Sequence, residues 1–196
     1  MSERQRALDA FLRDAVAGER SSVTVEINPN LDYMNLRGDP SDRQFVNAAN
    51  KVLRVDLPLQ PNTFNAGLST AYWLGPDEWL LASPAGERPT LPALIDDALS
   101  GMHASLSVVN GGYVALRVGG LNAATLLAKG CTLDFHPRSF SVGQCAQSGL
   151  AKASVLISMV DDAPAFDIFV RRSFAEYLAL WLQRAGREFG IQFTSF

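Results

Sequence analysis

A chain of 196 residues, 47% of them apolar and with a formal net charge of -3, has the hydrophobic material for one bilobal domain or two small ones. Its longest basic run is the pair Arg171-Arg172, so no Lys/Arg stripe exists to neutralise a phosphate backbone and nucleic acid is excluded as a partner. The opening residues Met1 to Arg6 mix charges without the apolar core of a signal peptide, and no stretch approaches the roughly 18 apolar residues of a membrane span. No membrane partner is expected, and the chain reads as cytoplasmic.

In chain order, Arg4 to Ala17 places Leu8, Phe11, Leu12 and Ala15 at helical spacing before Gly18, which predicts a short amphipathic helix able to dock on a partner. Val23 to Ile27 and Tyr33 to Arg37 alternate apolar and polar residues as half-buried strands do. Ser41 or Asp42 is placed to cap a helix with Phe45, Ala48, Ala49, Val52 and Leu53 on one face, ended by Pro58 and Pro61. Thr70–Leu74 and Glu78–Ala82, joined by Gly75-Pro76-Asp77, form a hairpin. Leu91–Leu99 follows as a helix with Pro92 in its first turn, and Ser105–Val109 extends again.

The second half repeats the order. Tyr113–Gly120 alternates as a strand, and Asn122 is the expected cap of a helix from Ala123 to Lys129 closed by Gly130. A hairpin over Gly143–Ala153 and Val155–Val160, a strand over Ala165–Val170 and a helix over Ser173–Ala185 complete it. That last helix aligns Phe174, Tyr177, Leu178, Trp181 and Leu182 as its core face. The pattern β-α-β-β-α, used twice, predicts an α+β protein of two consecutive split-βαβ-like modules, with antiparallel sheets covered by helices. The modules are expected at 1–105, including the leading helix, and 106–196.

The search for chemistry finds little. Gly111-Gly112 and Gly119-Gly120 lack the GxGxxG spacing of a dinucleotide site, and neither a GxSxG elbow nor a P-loop is present. Cys131 and Cys145 form no CxxC, and His103 and His136 form no metal-ligating pair, so neither a metal site nor a catalytic residue is predicted. Asp96-Asp97 and Asp161-Asp162 read as solvated pairs, one on a helix and one in a turn. Tyr72, Trp73, Trp79 and Trp181 fit core or interface anchors better than a stacking platform. Arg171-Arg172, between a strand and a helix, is suited to pair with a partner chain or an anion or to stand in water as a solvated edge. Lys129-Gly130-Cys131 with the later Gly143-Gln144 is similar to the KGCxxGQE signature of folate-dependent iron–sulfur assembly proteins, but the spacing is far too long for one loop.

Four segments carry a more specific resemblance: Leu74–Leu81, Leu127–Asp134, Gly143–Gln147 and Arg172–Ala175. In this order and spacing, over roughly residues 70–185, the chain resembles the γ subunits of heterotetrameric sarcosine oxidases, whose wider fold is that of the glycine-cleavage aminomethyltransferases and other folate-binding proteins. The resemblance implies a complex that demethylates sarcosine oxidatively to glycine, with hydrogen peroxide and 5,10-methylenetetrahydrofolate formed by the assembly. It implies FAD, FMN, NAD and tetrahydrofolate on a large α and an FAD-binding β subunit, a small δ subunit beside them, and no cofactor on this chain. The chain's role would then be assembly and stability. Related complexes such as N-methylglutamate dehydrogenase use a similar subunit, and a folate-binding aminomethyltransferase-like module is a further alternative. Val108-Val109-Asn110 replaces the Asp-x-Ser type run of the folate-binding relatives, which leaves Asp134 and Asp167 as the carboxylates to test against a pterin. Trp79, on the hairpin, is the expected interface anchor with Arg171 and Arg172, and Trp181 the expected core residue.

Overall fold

The structure is a computed structural model and describes Leu8 and residues 21–28, 30–86 and 88–195. The predicted helix over Arg4 to Ala17 lies outside the described residues except for Leu8, which is buried. The described residues form two compact units: residues 30–110, and a second made of the described residues before 30 together with 111–195.

The unit of residues 30–110 contains β2 (Leu31–Arg37), α1 (Arg43–Leu53), β3 (Phe64–Ala66), β4 (Thr70–Gly75), β5 (Glu78–Pro84), α2 (Leu91–Ala98) and β6 (Ser105–Val108). Its strands make an antiparallel sheet in the order β3-β4-β5-β2-β6. Asp42 is the cap of α1, its Oδ1 accepting the Gln44 amide at 2.8 Å. The helix ends where Arg54 turns left-handed and its amide bonds the Asn50 carbonyl. Arg88 then closes that end from outside, donating to the carbonyls of Val52 and Leu53 at 2.6 and 3.1 Å. Phe45, Ala49 and Leu53 of α1 and Leu91 and Ile95 of α2 recur at helical spacing, and they bury against Met34, Leu36, Ala71, Trp79 and Leu81 of the sheet.

The other unit contains β1 (Val23–Asn28), β7 (Tyr113–Gly119), α3 (Ala123–Ala128), β8 (Cys145–Leu150), β9 (Ala153–Asp161), β10 (Ala165–Arg171), α4 (Arg172–Ala185), a 3-10 turn (Arg187–Phe189) and β11 (Ile191–Ser195). The sheet order is β11-β1-β7-β10-β9-β8, antiparallel except for the parallel pair β1 and β11. Alternate residues Val23, Val25, Ile27, Leu116, Val118, Phe166, Ile168 and Val170 meet Ala123, Leu126 and Leu127 of α3 and Ala175, Leu178, Ala179 and Leu182 of α4. Phe135, Phe140 and Phe166 add an aromatic cluster with ring centres 5.4 to 6.4 Å apart.

The fold class is as predicted, α+β with two largely antiparallel sheets, each with two of the described helices packed on it. The division at 105/106 is not the division of the structure. β1 leaves the first module for the second sheet, because Val23–Asn28 pairs with β7 and β11 and not with β2. Ser105–Val108 stays with the first sheet through its ladder to β2. Asn122 stands at the cap position of α3 without capping it; its amide donates to the Ser22 hydroxyl at 2.9 Å. Phe174, expected in the core face of α4, is 42% exposed, since Ala175, Leu178, Ala179 and Leu182 already fill the buried stripe.

Candidate functional site

In the unit of residues 30–110, the end of β2, the β4–β5 turn and the segment entering β6 come together around an open cavity of about 630 Å³. Arg37 to Pro40, Pro76 and Asp77, and His103 to Ser105 line it. Each turn is pinned locally. The Gly38 amide donates to the Asp77 carbonyl at 3.1 Å, and Asp39 Oδ1 accepts the Ser41 amide and hydroxyl at 2.8 and 2.7 Å. The Arg37 guanidinium meets both carboxylate oxygens of Asp77 at 3.2 and 2.9 Å. Both side chains are about half exposed, at 51% and 55%, so water screens the pair. The Asp77 hydrogen bond and charge raise the pKa of Arg37, and the Ser41 hydroxyl, then its amide, lower that of Asp39, which stays anionic. Ser105 and His103 share the cavity, yet no hydrogen bond joins them among the described residues, so no base is set against a hydroxyl nucleophile. The arrangement suits recognition of a charged side chain more than bond making. Sequence reasoning missed it because Gly38-Asp39-Pro40 and Gly75-Pro76-Asp77 read as turns, and only the fold brings two such turns together.

The residues singled out from the sequence fall elsewhere. Trp79, expected at an interface, is fully buried: its ring packs on Phe45 at 5.8 Å and its Nε1 donates to the Pro58 carbonyl at 2.8 Å. That is a correction with a simple cause, since Trp79 shares its sheet face with Leu81 under α1 and α2. Trp181 is partly buried against the other core. Arg171 is exposed, its guanidinium 4.4 Å from the centre of the Tyr113 ring opposite it in the ladder. Arg172 opens α4, with its amide bonded to the Gly112 carbonyl.

The two carboxylates proposed for a pterin are both engaged. Asp167 accepts Arg117 Nε and Nη2 at 2.7 and 2.9 Å across the β7–β10 ladder. Asp134 accepts the His136 amide at 2.9 Å and the Ser139 hydroxyl at 2.7 Å, which lower its pKa. Asn110 holds the Tyr33 amide at 2.6 Å through its Oδ1. These residues do not fit a folate site. Asp96, Asp97, Asp161 and Asp162 are exposed, Cys131 and Cys145 are buried free thiols, and no group of three metal-ligating side chains occurs among the described residues.

The model of the sarcosine oxidase gamma subunit family matches residues 37–188. The chain belongs to this family. It is 32% identical over 176 residues to the sarcosine oxidase subunit gamma of Corynebacterium sp. (strain U-96), covering 89% of this chain and 83% of that one. Among solved structures it is similar to a chain of the heterotetrameric sarcosine oxidase from Corynebacterium sp. U-96 in complex with pyrrole 2-carboxylate, with a TM-score of 0.85 and 29% identity over 97% of this chain and 96% of that one. The fold alone is shared with the glycine cleavage system aminomethyltransferase T from Bartonella henselae, at a TM-score of 0.64 and 15% identity over 89% of this chain and 48% of that one.

The four segments that carried the resemblance, all within the matched range, do structural work in this chain. Leu74–Leu81 supplies the hairpin that buries Trp79 and Leu81. Gly130 lies against Trp181, whose ring atoms come within 2.5 Å of where a β-carbon would stand, and Cys131 bridges to Leu150 at the rim of β8. Lys129 ties the end of α3 to the carbonyl of Ala185, to Glu188 and to the ring of Phe189. Gln144 accepts the Ser141 amide and hydroxyl at 2.7 and 3.1 Å in the turn that starts β8.

Proposed function

We propose that this chain is a non-catalytic subunit of a heterotetrameric oxidase of N-methylated amino acids, sarcosine foremost, and that it stabilises the assembly which carries the chemistry. The observation behind this reading is that the segments around Trp79, Gly130 and Gln144, within the range that the family model matches, are spent on packing and turns, while no nucleophile and base are assembled among the described residues. In this reading FAD, FMN, NAD and tetrahydrofolate belong to the α and β subunits, a δ subunit completes the complex, and the assembly is cytoplasmic. Among the described residues no helix is long and apolar enough to cross a membrane. A subunit without reacting groups acts by mass action, since binding only the folded partners shifts them toward the assembled state. Arg171, exposed and steadied on Tyr113, is a cation available for such a contact.

Purified alone, the chain is expected to carry no flavin absorbance and to form no peroxide with sarcosine. Co-expressed with the large flavin- and NAD-binding chain, it is expected to co-purify and to raise the yield and melting temperature of the active complex. Turnover or stoichiometric flavin on the isolated chain overturns this reading.

A further inference from the structure

Among the described residues, one edge of the five-stranded sheet is left open: β6 pairs with β2 alone. Because the Val109 amide donates to Tyr33 on β2, alternation along an antiparallel strand turns the main-chain groups of Ser105 and Ser107 toward β2 and those of Leu106 and Val108 away from it. Natural edge strands are guarded by charge, proline, a bulge or brevity. The opposite edge, β3, has three residues, and in the other sheet the end of β8 is closed by the Cys131–Leu150 bridge. β6 reads Ser-Leu-Ser-Val, without charge, proline or register shift. Val108 is 52% exposed, and α2, which packs on β6, carries Leu94 at 51%.

The strand begins in the cavity described above, where Asp39 and Asp77 outnumber the single guanidinium of Arg37. Pro40 and Pro76, each next in sequence to one of those carboxylates, line the same cavity and offer apolar surface to an aliphatic stem. Resting on the subunit reading just proposed, we infer that β6 is a docking edge: an extended segment of a partner subunit adds to the sheet beside Leu106 and Val108 and places a lysine or arginine in the cavity between Asp39 and Asp77. Main-chain hydrogen bonds supply the affinity of such strand addition, and the side-chain pocket supplies its specificity.

Hydrogen exchange on the isolated chain and on its complex with the co-expressed oxidase subunits tests this. The Leu106 and Val108 amides are expected to exchange freely in the isolated chain and at least about tenfold more slowly in the complex. Val108→Lys, which charges the edge, and Asp39→Lys, which repels the incoming cation, are each expected to weaken co-purification at least about tenfold, while the isolated Val108→Lys chain keeps the parent melting temperature and the isolated Asp39→Lys chain, without the Ser41 hydrogen bonds, melts slightly lower but still cooperatively. If Val108→Lys fails to fold, Asp39→Lys and the exchange data on the parent chain decide the question. Oxidase chains that co-purify without slowing Leu106 and Val108 overturn the docking edge and leave the subunit reading intact. If no oxidase chain co-purifies with the parent, the subunit reading fails and the docking edge with it. Protection that appears in the isolated chain as its concentration rises assigns the edge to a second copy and overturns the proposal.

Discussion

The two units answer the same demand, two helices laid over one face of a sheet, with different use of the chain. In residues 30–110 every strand finds its neighbours within one continuous stretch. In the other unit β1 is held between β7 and β11, so the sheet draws on segments far apart in sequence and contains the parallel pair that the first sheet lacks. Pairing partners, not chain order, decide which core a strand serves.

The strongest way to break the comparison is to damage β1. Val25 is fully buried and pairs with Val118 on one side and Phe193 on the other, so Val25→Pro removes a donor inside a central strand and costs about 3 kcal/mol or more. Exchange protection should then vanish in the sheet of β7 to β11 and persist in residues 30–110. If both units lose protection together, they form one cooperative body and the contrast between them disappears.

The tryptophans give the next largest effect. Trp79→Ala, at a fully buried site with a hydrogen-bonded indole, is expected to destabilise the chain by about 3 to 5 kcal/mol in denaturant titration. Trp181→Ala, at a partly buried site, should cost about half as much. Equal losses would mean that the two cores are packed alike.

Glycine substitution sharpens the contrast at a joint specific to the two-ended unit. Gly120 has a φ of 107°, and an added β-carbon would come within 2.5 Å of the Ser22 carbonyl oxygen beside β1. Gly120→Ala is expected to cost about 2 kcal/mol, read as a lowered melting temperature. A smaller change awaits the cross-strand ion pair. Arg117 and Asp167 are 38% and 16% exposed, and Asp167→Asn should cost about 1 kcal/mol in chemical denaturation.

The smallest effect is with pH and appears in both units. Asp39 and Asp134 have pKa values lowered by hydrogen bonds from Ser41 and from His136 and Ser139. Their contribution is therefore complete above the ordinary carboxylate pKa and fades as pH falls through the lowered folded value. Carboxylate chemical shifts followed through an acid titration should report both midpoints below those of free aspartate. A midpoint at the ordinary value for Asp134 would mean that the turn from Asp134 to Ser139 is not held as described.

Much of this fold was legible in the sequence because its strands alternate cleanly. Val23–Ile27, Tyr113–Gly119 and the caps and turns around Asp42 and Gly75-Pro76-Asp77 announce their elements. What could not be read is what depends on distant pairing. β3 is only three residues long and β11 follows the last helix, and the place of β1 in the second sheet is not encoded near β1 itself. Trp79 reads as an interface anchor from its place on the Gly75-Pro76-Asp77 hairpin, and the run Trp79-Leu80-Leu81-Ala82, apolar on both faces, gives no alternation to mark it as inside. The family segments were legible, but what each does in the fold was not. Gly130 is explained only by Trp181, which the fold alone brings beside it.

The position of β1 also sets an order of events during synthesis. β1 is made before the whole 30–110 unit, yet its antiparallel neighbour β7 and its parallel neighbour β11 are made after it. At about 5 to 20 residues per second, the ribosome leaves β1 without its ladder for on the order of ten seconds. Throughout that interval the strands of residues 30–110 can complete their own sheet, while Val23, Val25 and Ile27 of β1 wait without the strands that later bury them.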